Sequence, residues 1–484
     1  MKSKELLFEL IQSLSKSEKR YFKVFTSVHK ESNNYVKLFD AIQAQKEYDE
    51  EALLKKFKNE DFVRQFSVAK NYLMTLVLKS LSNHHLKARK SIELNEYLSE
   101  IEILFWKGLY KLAHKRVKQA KKIASSHDML HYLLLINHWE RRIVENLGLK
   151  IDQHEVMEET EKYLASYNQQ MQMQMLIKEM QEISQSTIKQ TADAKQKVKK
   201  IFNHPLMKLK EEEIDNFYTK LDYYFLKGIG HTFIGNTDRE FYYKKRAMEF
   251  LEENPHQIQE NPIKYGSTVN NMLLYHHFHG YNDDFPMYLD KLKNINMKFD
   301  HTRSSFMDTM HNLQIGYYLH LGDNEKLKEC LVEMESWYTG KSSIRKILAR
   351  MICEYNLGLV YFYFNDTKNA LRWANSCFNM FDMKAKKYRH DIAVSTLMIM
   401  VLIYIDLGHF DLAKKHMDWI FEIAEKNKYA KTEMSILRLI RDIIKIESKE
   451  FHLQKLNELV VKQDVPMINL DKDVLVFWLG RNLR

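Results

Sequence analysis

Apolar residues recur along most of the chain at spacings of three and four, the repeat of one helix face. In the opening segment Leu6, Leu7, Leu10, Ile11 and Leu14 share a face, which predicts a first helix. Ser15 followed by Glu18 is a capping-box pair, so a second helix is expected to start there and to carry Tyr21, Phe22, Val24, Phe25 and Val28. Further helices are expected through about Leu81, and no proline occurs before Pro205 to break them.

A longer period overlies the short one. Gly108, Gly148, Gly235, Gly280, Gly322, Asn365 and Gly408 each fall in a short turn between two helical stretches. Five residues after them come Ala113, Gln153, Glu240, Phe285, Leu327, Ala370 and Ala413, and Lys189 with Ala194 fills the remaining slot without a glycine. The eight slots are spaced by 40, 41, 46, 45, 42, 43 and 43 residues, and spacing alone adds a ninth, Lys449 with Gln454. Seven residues after each slot the column reads Ala120, Thr160, Ile201, Ala247, Leu292, Met334, Cys377, Ile420 and Val461, with only Thr160 polar. Four residues before the turn, Leu104, Val144, Tyr318, Tyr361 and Tyr404 are apolar or aromatic, with Gln185, His231, His276 and, in the ninth slot, Lys445 as exceptions. The pattern is that of helical hairpins, in which Gly or Asn takes the left-handed turn position and a small or apolar residue sits where the helices cross. It predicts an all-α chain with an N-terminal helical cap domain over 1–90, hairpin repeats over 91–464, and a capping helix over 465–484. In that last segment Val474, Leu475, Phe477, Trp478 and Leu479 should dock on the array, with Trp478 in the core.

Composition narrows the fold class further. The chain holds 13 glycines and 5 prolines in 484 residues, where average usage gives roughly 34 and 24, which disfavours sheet-rich and loop-rich folds. The net charge of +10 lies wholly in residues 1–122, which carry 25 Lys/Arg against 15 Asp/Glu. The three cysteines, Cys330, Cys353 and Cys377, include no close pair, so a reducing compartment is expected rather than a disulfide scaffold. Glu5 and Glu9 interrupt any secretory signal, and the longest apolar run, Leu397 to Ile405, is far short of a membrane span. A cytoplasmic location without membrane contact is the expectation.

The stretch Tyr355-Asn-Leu-Gly358-Leu-Val-Tyr361, followed by Ala370, Ala374 and Cys377, resembles the tetratricopeptide repeat. Tyr404, Gly408, Phe410 and Ala413 match the same pattern, and Tyr318 with Gly322 match part of it. The family period is about 34 residues, against 40 to 46 here, so the likeness is to long-helix members. The resemblance implies a right-handed α-α superhelix, a tetratricopeptide-like solenoid with helical caps, whose concave groove binds protein or peptide. Carried over by column, the groove residues would be Asn270 and His277, then Asn312 and His320, then Ile352, Tyr355, Leu359, Phe362 and Tyr363, then Met398, Leu402 and Asp406. A mix of Asn and aromatic side chains suits an extended peptide, because Asn can hydrogen-bond its backbone.

No nucleotide or hydrolase signature is present, and Gly228-Ile-Gly230 is an isolated Gly-x-Gly that follows no strand. His276 and His279 fall on one helix turn, but two histidines do not make a zinc site, and structural roles are expected. No cofactor, metal or catalytic residue is expected. The function expected is that of a non-enzymatic scaffold or adaptor. The alternative is a peptide-responsive or nucleic-acid-linked regulator that uses the basic N-terminal quarter, where Lys16, Lys19, Arg20 and Lys23 interleave with Tyr21 and Phe22.

Overall fold

The computed structural model describes residues 6–27, 33–86, 89–147, 153–186, 192–281, 283–295, 300–340, 347–381, 389–427, 429–445, 449–462 and 471–483. Among them the chain is helical almost throughout and has no strand. It divides into two compact units at residues 168/169.

The first unit contains α1 (Leu6–Ser13), α2 (Lys16–Ser27), α3 (Asn33–Gln43), α4 (Glu50–Lys56), α5 (Phe66–His84), α6 (Lys90–Trp106), α7 (Tyr110–Ser126) and α8 (Leu130–Leu147). A long helix, α9 (Gln153–Ser186), carries the chain into the second unit. Helices α1, α2, α3 and α5 close around Leu7, Ile11, Phe22, Phe39, Ile42 and Leu73. The expected capping box is formed: the Glu18 backbone N–H donates to Ser15 Oγ at 3.3 Å, and the Ser15 N–H to Glu18 Oε2 at 2.7 Å. A second core joins α6, α7 and α8 around Ile101, Val117, Ile136 and Ile143.

The second unit continues with α10 (Ala192–Phe202), α11 (Phe217–Ile234), α12 (Thr237–Glu252), α13 (Pro255–Glu260), α14 (Pro262–His279), α15 (Phe285–Lys293), α16 (Asp300–Leu321) and α17 (Asn324–Gly340). Then follow α18 (Ile347–Tyr363), α19 (Thr367–Phe381), α20 (His390–Asp406), α21 (Phe410–Lys426), α22 (Lys431–Ile444), α23 (Lys449–Asn457), a π-helical turn (Glu458–Lys462) and α24 (Lys472–Asn482). Consecutive helices pair as hairpins, α11 with α12, α14 with α15, α16 with α17, α18 with α19, and α20 with α21. The first members also pack in succession, α14 on α16, α16 on α18, and α18 on α20.

The hairpin turns follow from a local backbone rule. Gly108, Gly235, Gly280, Gly322, Asn365 and Gly408 all have positive φ, between 62° and 100°; Gly148, the seventh expected turn residue, and Lys189 lie outside the described residues. At five of these turns the residue after the left-handed position donates its N–H back five residues. The carbonyls that accept it belong to Leu104, His231, Tyr318, Tyr361 and Tyr404, at 2.8–3.2 Å. These are the residues four before the turn, so that column is fixed by helix termination as well as by packing. The next residue then starts the following helix: Asn236, Asp323 and Asp366 each accept a backbone N–H three residues on, at 3.1 Å.

The crossing slots are buried. Ala113, Ala194, Glu240, Phe285, Leu327, Ala370 and Ala413 are at most 2% exposed. The ninth slot is not one of them: Gln454 is exposed, Val461 is 45% exposed, and the helix there widens into the π-turn. The buried pattern therefore ends with the eighth slot. Glu240 is the chemical exception among the slots. Its carboxylate is held by Lys244 at 2.5 Å and by His279 at 3.2 Å, and Gly228 leaves room for the Lys244 stem, 3.1 Å from where a Cβ would stand. Gly228-Ile-Gly230 thus lies inside α11 as a packing feature, with the Phe202 ring filling the space beside Gly230.

Candidate protein-binding face

Helix α24 is seated on α18, α20 and α23. Its sequence is amphipathic in an unusual way: acids at the head, an apolar middle, and Arg481 and Asn482 at the tail. Val474, Leu475, Trp478 and Leu479 are at most 1% exposed and join the largest core of the molecule. The polar ends of the helix meet residues that the repeat register assigns to the groove. The Tyr355 hydroxyl donates to the Asp471 carboxylate, whose other oxygen caps α24 by accepting the Asp473 N–H at 2.9 Å. One turn further, the Tyr363 and Phe477 rings meet edge to face at 4.7 Å. Trp478 Nε1 donates to Asp406 at 2.8 Å, and Asn482 Nδ2 donates to the same oxygen at 3.4 Å. Arg481 lays its guanidinium 4.4 Å from the centre of the Phe362 ring and donates to the Phe362 carbonyl at 3.3 Å. It also donates to Asn365, the left-handed turn residue.

Four of the twelve candidate groove residues, Tyr355, Phe362, Tyr363 and Asp406, therefore grip the chain's own final helix. Phe362 is 1% exposed and Tyr355 8%, so neither is open to an outside partner while α24 is seated. Met398 and Leu402 are likewise buried, and α20 is buried from Ile392 to Ile405, all but Tyr404, with Ser395 and Thr396 as its polar residues there. A helix buried on every side needs a neighbour on every side, and α18, α19, α21 and α24 supply them.

Four more candidates, Asn270, His277, Asn312 and His320, lie on α14 and α16. His277 Nδ1 is 2.6 Å from the Tyr281 hydroxyl, and the His320 ring is 5.0 Å from the Tyr281 ring. Gly316 makes this approach feasible, since a Cβ there would stand 2.7 Å from the Tyr281 oxygen and 3.2 Å from the His277 ring. Asn312 bridges two helices: its amide donates to the Asp308 carbonyl at 2.7 Å, and its oxygen accepts from Asn356 at 2.6 Å. Asn270 is half-buried, and its side-chain oxygen is buried with no hydrogen-bond partner among the described residues.

Electrostatics tie this group to the head of α24. His277 and Asp473 are both exposed at their surfaces but surrounded by protein on most sides. Burial holds the His277 pKa below the usual imidazole value, partly opposed by Asp471. Burial and the neighbouring Asp471 charge push the Asp473 carboxyl up to about 6, with Lys472 and His320 opposing. The result is a polar cluster in which burial disfavours the charged forms of His277 and Asp473.

Asp471, Asn356, Tyr281, Phe477, Arg481 and Gly316 were not among the groove candidates, although Phe477 was expected to dock with the last helix. One signal for the first, fourth and fifth was available: the apolar run from Leu397 to Ile405 has no polar face, which marks α20 as a helix covered on all sides.

The remaining sequence features resolve into structure. His276 is 3% exposed and stacked on Tyr288 at 5.4 Å, while His279 serves Glu240. Burial raises the Cys330 thiol to about 11 and the Cys377 thiol to about 12, the opposite of nucleophile activation. No described helix is long and apolar enough to cross a membrane. No protein-family model matches the chain, and no curated protein matches it either.

Proposed function

We propose that the chain is a non-enzymatic adaptor, a tetratricopeptide-like solenoid whose inner face, made by α14, α16, α18 and α20, binds a protein segment. The observation that carries this reading is the seat of α24. A helix reaching back more than a hundred residues is held by the side chains that the repeat register nominates for ligand contact: Tyr355, Phe362, Tyr363 and Asp406. On this reading α24 is the resident ligand, and it shows the chemistry the face accepts: an acidic head, a Trp or Phe anchor and a terminal Arg. Near its head His277 and His320 remain exposed and Asn312 is half-buried.

The test uses the full chain. A labelled peptide copying residues 471–484 is titrated onto wild-type protein and onto a Trp478→Ala variant, whose own helix competes poorly. Removing a buried Trp anchor costs at least about 2 kcal/mol, so the variant should take the peptide about 30-fold more tightly than wild type. A folded variant that takes no peptide sinks the reading.

One observation favours a second reading. Lys16, Lys19, Arg20 and Lys23 on α2 line one recess of about 560 Å³ with Val24 and Gln43, and among the described residues only Lys23 of the four has an ion partner, Asp40 at 2.8 Å. A nucleic-acid backbone would suit that face. Binding would then fall steeply with salt, and reversal of charge at Lys19 and Arg20 would weaken it on any sequence.

A further inference from the structure

The histidines that catch the eye in the sequence, His276 and His279, have separate structural duties. A pair that does converge is His84 and His85. Neighbouring side chains on a regular helix diverge by about 100°. His84, however, is the last residue of α5, and His85 is its C-cap, at φ −97° and ψ 5°. Leaving the helix there lets both imidazoles turn toward α2, which packs on α5. Facing them is Glu18 in the first turn of α2. One donor atom from each of Glu18, His84 and His85 lies within 4.8 Å of the other two.

The three groups are oriented as well as close. Glu18 Oε1 is 2.6 Å from His85 Nε2, and its other oxygen is fixed by the Ser15 N–H at 2.7 Å. The His84 ring meets Tyr21 edge-on at 5.0 Å and His85 at 4.8 Å. An ion pair accounts for Glu18 and His85 but leaves His84 Nδ1 buried, with no hydrogen-bond partner among the described residues. Such an orphan is costly to bury.

We propose that Glu18, His84 and His85 form a three-ligand site for a divalent cation of zinc type, with a fourth position for water. Two imidazoles and a carboxylate are the donor set of open zinc sites. A tetrahedral ion with bonds near 2.0–2.1 Å spaces its ligands about 3.3 Å apart, so donors within 4.8 Å need to close by no more than about 1.5 Å. The Ser15 N–H is the outer contact that orients the carboxylate, as metal sites require. An ion there pins α2 to α5.

The chain has 21 histidines, so the test must be specific to the site. Chelator-stripped full-length protein is titrated with zinc against a chromophoric competitor, and cobalt(II) is used as a spectroscopic stand-in. One zinc per chain is expected, and cobalt should give the intense visible bands of a four-coordinate ion. His84→Ala and Glu18→Gln should each weaken zinc by about 100-fold and erase those bands. Glu18→Gln keeps the length of the side chain and the capping acceptor, so it reports even if His84→Ala misfolds. If wild type takes up no zinc at about 10 µM, or if both ligand variants titrate like wild type, the site does not exist.

Discussion

Trp478→Ala should release α24 while leaving the rest of the molecule folded. Trp478 is wholly buried, and its indole N–H donates to Asp406 at 2.8 Å. Truncating a buried Trp to Ala costs about 3–5 kcal/mol, from lost apolar contact and the cavity left behind. The hydrogen bond adds little of its own, about 1 kcal/mol, because Asp406 is exposed and rehydrates when its partner goes. Trp478→Phe keeps most of the ring and loses the N–H, so it should cost closer to 1–2 kcal/mol. The contacts at stake are local to one helix, and the appropriate assay is native-state hydrogen exchange resolved along the chain. For Trp478→Ala, amide protection within α24 should fall by roughly two to three and a half powers of ten, while α7 in the first unit keeps its protection. A drop of less than about tenfold in α24 would refute the reasoning, since the indole would then not be what seats the helix. Equal loss in α24 and α7 would refute it differently, by showing that α24 opens only with everything else.

Other outcomes follow from the polar cluster beside α24. Gly316→Ala places a methyl 2.7 Å from the Tyr281 oxygen and should cost about 1–3 kcal/mol in denaturant unfolding; an unchanged midpoint would show that Tyr281 moves aside freely. The pH behaviour has two opposed signs. Asp473 has a folded-state pKa raised to about 6, so its ionised form works against the docked state above that pH, and the penalty fades as pH falls through 6 toward 4. Asp473→Asn should therefore strengthen α24 protection at pH 7 and do nothing at pH 4. His277, whose folded-state pKa is lowered, acts the other way: the folded state is favoured above the unfolded imidazole value, and that preference is lost as pH falls below it. A His277→Gln variant should flatten that acid-side decline in a thermal-melt series, and an unaltered pH profile would remove His277 from the account.

Much of this architecture was legible in the residues because backbone chemistry and helix period leave strong marks. Six of the seven glycine or asparagine turn positions take the left-handed backbone that their residue type suits, and the crossing slots named from spacing are buried wherever they are described, the ninth excepted. The ninth failed because spacing was its only support: with no turn residue and no small residue, α23 runs into a π-turn instead of a hairpin. Column register named Tyr355, Phe362, Tyr363 and Asp406 as groove positions, but not that the chain's own last helix meets them, because Asp471 and Arg481 act across 116 residues or more. No periodic signal carries that distance. Glu18, His84 and His85 were hidden for a related reason: two adjacent histidines converge only where a helix ends, and the end of α5 is set by tertiary packing rather than by a Gly or Pro.

The long reach of α24 also bears on the order in which the molecule assembles. Hairpin neighbours in the second unit lie about one repeat apart in sequence, near 43 residues, whereas Tyr355 and Asp471 are separated by 116. Closing the longer loop costs only about 0.9 kcal/mol more in chain entropy, so the seat is not thermodynamically extravagant. It is kinetically dependent, because the surface α24 needs exists only once α18, α20 and α23 are side by side. The clasp therefore forms after the hairpins it clasps, and under mild denaturant it should be the first element to let go. Between those two events lies a nearly complete fold with an uncovered strip of leucine, methionine and aromatic side chains. That intermediate is the form most exposed to self-association during refolding, and its lifetime sets the protein concentration at which the chain can be refolded without loss.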